Sequence, residues 1–204
     1  MIGTMSKYKV VLFDVDGVLL RSDVTKFFSH AYAEEHGFDK KDFDDFFARH
    51  ADDVWRGKTT YKDLIVERND VWRWDKDPHE LLEKWFSHEN YPDFRLIKLA
   101  KQLRKSGIHI YLATNQDKDR AKYLTKLFSD ILDGAFISSD FGYIKEEPEF
   151  FRIVIDRLRK KSKALEPKQI VFFDDNPENI TVAKSQDITA YLYESPEQVR
   201  KLLD

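Results

Sequence analysis

Six polar residues fall just past short apolar runs of the chain: Asp14 and Asp16 after Val10-Val11-Leu12-Phe13, Thr114 and Asn115 after Ile108 to Ala113, and Asp174 and Asp175 after Ile170-Val171-Phe172-Phe173. Four of the six are carboxylic acids. If the runs lie side by side the acids converge, and carboxylates held close together repel one another and raise their own pKa values unless a cation neutralises them. An all-oxygen divalent-cation site resolves that conflict, and Mg2+ is the first choice. The chain has no cysteine and no histidine pair at ligand spacing, so softer metals have little to bind.

Convergence requires a particular architecture. The apolar runs are continuous rather than alternating, as expected of strands covered on both faces, and each is followed by turn chemistry and a longer amphipathic stretch. That is the pattern of an α/β protein with a Rossmann-like parallel sheet, in which ligands bind outside the C-terminal strand ends. Strands are predicted over Tyr8 to Val15, Ile108 to Ala113, Gly134 to Ser138, Ile170 to Phe173 and Ala190 to Tyr193, with a helix over Phe94 to Lys105 stopped by Ser106-Gly107. Between the first two strands lie about 90 residues with helical periodicity and no convincing strand, far more than a normal connection. All four tryptophans are there. Phe27, Phe28, Phe43, Phe46, Phe47, Trp55, Trp72, Trp74, Trp85 and Phe86 are expected to build an all-helical core with breaks near Gly37, Gly57 to Thr60 and Asp75 to Pro78. The expected division is an inserted α-helical cap over residues 19–92 and a core made of 5–18 and 93–204.

Composition fits such a protein. The 204 residues allow one large domain or a core with a small insert, and 42% apolar against 35% charged residues suffices for a buried core under a solvated surface. Zero cysteines exclude disulfide frameworks, thiolate zinc sites and cysteine nucleophiles, and fit a reducing compartment. With 34 basic against 37 acidic residues the net charge is −3, so no nucleic-acid partner is expected. No apolar run approaches bilayer length, and Met1-Ile2-Gly3-Thr4-Met5 lacks the flank of a signal peptide. A cytoplasmic monomer or homodimer with no membrane partner is expected, and initiation at Met1 or Met5 is equally compatible with the letters.

Asp14-x-Asp16-Gly17-Val18, Thr114-Asn115, Lys145 beyond the third strand, and Asp174-Asp175 resemble, in order, the four motifs of the haloacid dehalogenase-like (HAD) hydrolase superfamily, in its members with a helical cap after the first motif. The resemblance implies a HAD fold and Mg2+-dependent phosphoryl chemistry on a small phosphorylated molecule. It makes Asp14 the nucleophile that forms an aspartyl-phosphate and Asp16 the general acid and base. Thr114 and Asn115 hydrogen-bond the phosphoryl oxygens, and Lys145 opposes charge building in the transition state. Asp14, Asp175 and the backbone carbonyl of Asp16 hold Mg2+, while Asp174 orients Lys145 or a water. Dehalogenases typically lack the second aspartate, so Asp16 favours phosphoryl transfer. The expected activity is a phosphatase for a sugar phosphate or nucleotide; the alternatives are a phosphotransferase resembling β-phosphoglucomutase, a haloacid dehalogenase and a non-catalytic relative.

Two departures stand out. The family's Lys-Pro-acid-Pro becomes Lys145-Glu146-Glu147-Pro148, which places a carboxylate beside the lysine that is expected to lower its effective charge. In Gln186-Asp187-Ile188 a glycine common among related sequences is missing. Arg21, Ser22 and Asp23 follow the first motif closely enough to reach the site's mouth. Arg56 and Lys58, in the turn Trp55 to Thr60, are expected either to touch an anionic or hydroxylated leaving group or to be solvated turn residues.

Overall fold

The computed structural model describes residues 7–21 and 27–203, and for Asn69 the backbone alone. Ser22, Asp23 and both candidate start residues therefore lie outside the described residues. Strands β1 (Val10–Phe13), β2 (His109–Thr114), β3 (Gly134–Ile137), β4 (Ile170–Asp174) and β5 (Thr189–Leu192) form one parallel sheet in the order β3-β2-β1-β4-β5. β1 is central, with every residue buried. Its Val11 and Phe13 face one layer, against Leu96, Leu99 and Leu103 of α6 (Phe94–Lys105) and Val199 and Leu203 of α11 (Pro196–Leu203). Val10 and Leu12 face the other, against Phe150, Phe151, Val154 and Leu158 of α9 (Pro148–Lys161) and Ile180 and Ala183 of α10 (Pro177–Ser185). The alternation along one strand feeds two covered faces, which is why the run is apolar throughout.

β1 ends two residues short of the predicted Val15 for a visible reason. The Val15 carbonyl accepts from the Val18 and Leu20 amides, curling the chain into a turn that Gly17 closes at φ 76°. β5 is shifted one residue earlier than predicted, although the Tyr193 amide still donates to the Asp174 carbonyl at 2.8 Å. Asp187, at the missing glycine, sits at φ 60°, the left-handed conformation that ends a helix and that aspartate tolerates better than most residues.

Between β1 and β2 run α1 (Phe28–His36), α2 (Lys40–Trp55), α3 (Tyr61–Ile65), α4 (Asn69–Trp72) and α5 (Pro78–His88). Phe28, Phe43, Phe46, Trp72, Trp74 and Phe86 bury into a cluster of this layer's own. Phe27 does not join it and is 48% exposed, while Phe47, Trp55 and Trp85 are only half-buried. The breaks are built from ordinary signals: Gly37 at φ 71° ends α1, Thr60 caps α3, and Asp77 caps α5 ahead of Pro78. The layer's two connections to the sheet lie side by side, Leu20 bridging Pro92 antiparallel, with the Arg21 amide on the Tyr91 carbonyl and the Asp93 amide on the Leu19 carbonyl, both at 2.9 Å. Among the described residues no helix is long and apolar enough to cross a membrane.

Candidate active site

The strand order decides the site. β1 lies between β2 and β4, so Asp14, one residue past Phe13, stands beside the ends of both neighbours, and its amide donates to the Phe173 carbonyl at 3.0 Å. Asp14 is 6% exposed and Asp174 fully buried. Oxygens of Asp14, Asp174 and the exposed Asp175 lie within 4.8 Å of one another. Between the first two sits Lys145, itself 3% exposed, with Nζ 2.7 Å from Asp14 Oδ1 and 2.7 Å from Asp174 Oδ2. Burial pulls the lysine's pKa down, but the two carboxylates outweigh it and the net direction is up. Burial pushes the Asp14 carboxyl up to about 7, against the opposing pull of Lys145. Asp175 is raised as well, by burial and then by Asp174.

Surrounding bonds fix this triad. Asp174 Oδ1 accepts from the Asn176 amide at 2.8 Å, and Asn179 Nδ2 donates to both Asp174 oxygens at 3.1 Å. Gly17 packs directly on Asp175: a Cβ there would stand 2.0 Å from Oδ2, so the turn after β1 and the acid after β4 are in close contact. Thr114 is buried at the end of β2. Asn115 is engaged with the lysine loop, Oδ1 accepting from the Lys145 amide at 2.9 Å and Nδ2 donating to Glu146 Oε2 at 2.8 Å. Glu146 thus bonds Asn115, and the acids that meet the Lys145 ammonium are Asp14 and Asp174. Lys145 and Glu146 are the central pair of a turn closed by the Glu147 amide on the Ile144 carbonyl at 3.0 Å, with Lys145 turned inward and Glu146 toward Asn115.

Asp16 is exposed but doubly tethered. Arg120 Nη2 donates to its Oδ1 at 2.6 Å and Gln116 Nε2 to its Oδ2 at 2.8 Å; the same Gln116 nitrogen is 3.4 Å from Thr114 Oγ1. Neither partner is conspicuous in the sequence. One signal was present: Arg120 lies in the first turn of α7 (Lys118–Leu127), capped by Asp117, where a cation opposes the helix dipole unless an acid faces it. Arg56 and Lys58 are not directed at the acids. Arg56 Nε bonds Asp52 Oδ1 at 2.8 Å and its Nη1 bonds Glu147 Oε2 at 2.6 Å, while Lys58 bonds Asp53 Oδ1 at 2.7 Å.

Three clustered carboxylates, a buried lysine between two of them and a tethered fourth acid are a donor set that fits a hard divalent cation. The class so defined is a Rossmann-like α/β protein with an acidic centre on its first strand. A family model for haloacid dehalogenase-like hydrolases matches residues 8–187, and the chain belongs to that family. It is 27% identical over 96 residues to sesquiterpene phosphatase astK of Aspergillus oryzae (46% of each chain), and 27% identical over 103 residues to bifunctional epoxide hydrolase 2 of Rattus norvegicus (48% of this chain, 18% of that one). The chain thus covers less than half the length of these curated relatives. Among solved structures, HAD family enzyme bt-2542 of Bacteroides thetaiotaomicron superposes with TM-score 0.75 at 20% identity, covering 97% of this chain and 98% of that one. A complex of that enzyme with magnesium and inorganic phosphate superposes with TM-score 0.73 at 20% identity, covering 92% and 94%.

Proposed function

We propose that the chain is a Mg2+-dependent phosphatase that hydrolyses a small phosphomonoester through an aspartyl-phosphate. One observation carries the reading: Asp14 is buried at the central strand end, 2.7 Å from a lysine ammonium and clustered with two further carboxylates. Asp14, Asp175 and the backbone carbonyl of Asp16 would hold Mg2+, which when bound supplies positive charge to the phosphoryl oxygens. Lys145 opposes the protonation that burial favours at Asp14, and so raises the fraction with an attacking lone pair available. Asp14 attacks phosphorus, the ester P–O bond breaks with its electron pair on the leaving oxygen, and Asp16 gives that oxygen a proton. In the second half, Asp16 takes a proton from the water that attacks the aspartyl-phosphate. Thr114 offers its hydroxyl to the transferring group, and Asn115 braces the Lys145 loop. The helices of residues 19–92 act as a cap, held to the core through Arg56 on Glu147 and Gly57 against the Ser139 carbonyl.

Two comparisons support this reading, a curated relative described as a phosphatase and a solved relative holding magnesium and phosphate. Asp16, with its two tethers, favours phosphoryl transfer over dehalogenation. The test is phosphate release from p-nitrophenyl phosphate with Mg2+ and with EDTA, by wild type and Asp14→Asn. Release that needs Mg2+ and falls on the order of 10³-fold in the variant is expected. Near-wild-type turnover by Asp14→Asn would overturn the nucleophile, and turnover unaffected by EDTA would overturn the metal.

A further inference from the structure

We propose that the cavity of about 250 Å³ between the helical layer and the start of α7 receives the leaving group of the substrate, and that this group is an uncharged, apolar alcohol rather than a sugar or a nucleoside. The proposal rests on the phosphatase reading above. Four rings from the helical layer, Phe47, Trp55, Tyr61 and Trp85, wall one side, and Gln116 and Arg120 close the other. These last two are the residues that hold Asp16. The cavity therefore lies one side chain away from the carboxyl assigned to protonate the leaving oxygen, and a group carried by that oxygen can pass Gln116 and Arg120 to reach the rings.

Shape and chemistry select the occupant. Phe47 packs on Tyr61 at 4.7 Å and on Trp85 at 4.6 Å between ring centroids, so the wall is braced by its own contacts. Ala48 and Ala51, one turn apart on α2, leave the room that larger side chains would fill. A dry apolar cavity of 150 Å³ holds a benzene, so this one, which is open on one side, covers about ten carbons and would leave much of a nucleoside of nearly twenty non-hydrogen atoms in solvent. A sugar fits by size but is poorly matched in hydrogen bonding. Gln116 Nε2 and Arg120 Nη2 are engaged with Asp16, Asp117 Oδ1 with the Asp119 and Arg120 amides, and the Tyr61 hydroxyl with the Phe47 carbonyl. Hydroxyls brought against the ring faces and the Ala48 and Ala51 methyls would lose water over most of that surface and regain few partners. A second phosphate fares no better, because Arg56 and Lys58 are paired with carboxylates outside the cavity, and the cation in its lining, Arg120, is already paired with Asp16.

The test compares esters of primary alcohols of similar acidity, so that intrinsic reactivity is held constant: 3-phenylpropyl phosphate, glucose 6-phosphate and AMP, each by kcat/KM with Mg2+. We expect at least a tenfold preference for the phenylpropyl ester, reduced at least fivefold in Ala51→Leu, which fills the cavity. Equal or faster turnover of glucose 6-phosphate or AMP would overturn the inference while leaving the phosphatase reading intact. If no ester is hydrolysed the phosphatase reading fails, and tryptophan fluorescence decides the cavity on its own. A saturable change on titrating metal-free protein with 3-phenylpropanol, weakened at least fivefold in Ala51→Leu and absent with glucose, supports the apolar site. No saturable change, or the same change with glucose, overturns it.

Discussion

Replacing Lys145 with methionine keeps an unbranched side chain one atom shorter and removes one ammonium from between two carboxylates. The three side chains concerned, Lys145, Asp14 and Asp174, retain 4%, 9% and 0% exposure, and both contacts are 2.7 Å. At an effective dielectric of about 20, each contact amounts to roughly 6 kcal/mol of Coulomb attraction. Desolvation of three charges cancels much of that, and removing one partner of a buried pair costs about 3–5 kcal/mol. Asp174 keeps its bonds from Asn176 and Asn179, so the loss falls mainly on Asp14, which is left facing Asp174 and Asp16. For a chain of this size each kcal/mol shifts Tm by roughly 2–4 °C, so Lys145→Met should melt about 6–20 °C below wild type in EDTA at pH 8. Urea titration measures the free energy directly, and calorimetry the melting temperature. Saturating MgCl2 should recover half or more of the loss, because a cation on the same carboxylates replaces the charge that was removed. A loss below about 1 kcal/mol in EDTA, the size of an ordinary surface pair, would refute the buried triad. An equal loss with and without Mg2+ would refute the assignment of these acids to the metal.

Three further outcomes are expected. Gly17→Ala should raise the Mg2+ concentration needed for half-maximal activity at least tenfold, since its Cβ would fall 2.0 Å from Asp175 Oδ2 in a left-handed turn and displace that carboxylate; an unchanged metal titration would move the ligand elsewhere. Arg120→Ala should lower kcat for alkyl phosphates about tenfold and that for p-nitrophenyl phosphate little, because only the former need a proton from Asp16, and equal losses on both would count against the tether. The Asp14 carboxyl, lifted from 3.8 to about 7 chiefly by burial, binds a proton in the folded chain where the unfolded chain has released it. Its contribution to stability is therefore complete below pH 3.8 and lost as pH rises through 7, so wild type in EDTA should be about 3 kcal/mol less stable at pH 8 than at pH 5; a flat profile in urea titrations would place the carboxyl at its ordinary value.

The sheet was legible because its strands are covered on both faces, which leaves no choice but continuous apolar runs such as Val10 to Phe13 and Ile170 to Phe173. The acids were legible for the complementary reason: where such a strand ends, a carboxylate is conspicuous. Strand limits were less so, because β1 stops where Val15 turns its carbonyl to Val18 and Leu20, a matter of backbone bonding that side-chain type does not encode. The partners of Asp16 were illegible for a different reason. Gln116 and Arg120 lie about a hundred residues away, and their role exists only once β2 is laid beside β1.

The helical layer shows the limit most clearly. Its aromatic content predicts a buried cluster, and most of those rings form one, but nothing in their spacing separates Trp72, wholly buried, from Trp85, which keeps a face open. That difference depends on where the layer docks. Docking is set in part by Gly57, whose φ of 69° and close approach to Ser139 leave no space for a side chain: a Cβ would stand 2.3 Å from the Ser139 carbonyl oxygen. Arg56 beside it reaches Glu147, the residue that leads into α9 two positions after Lys145. The contact that places the rings over Gln116 and Arg120 is thus made on the loop that carries the buried lysine, so the form of the cavity and the position of Lys145 are tied to one segment of the core.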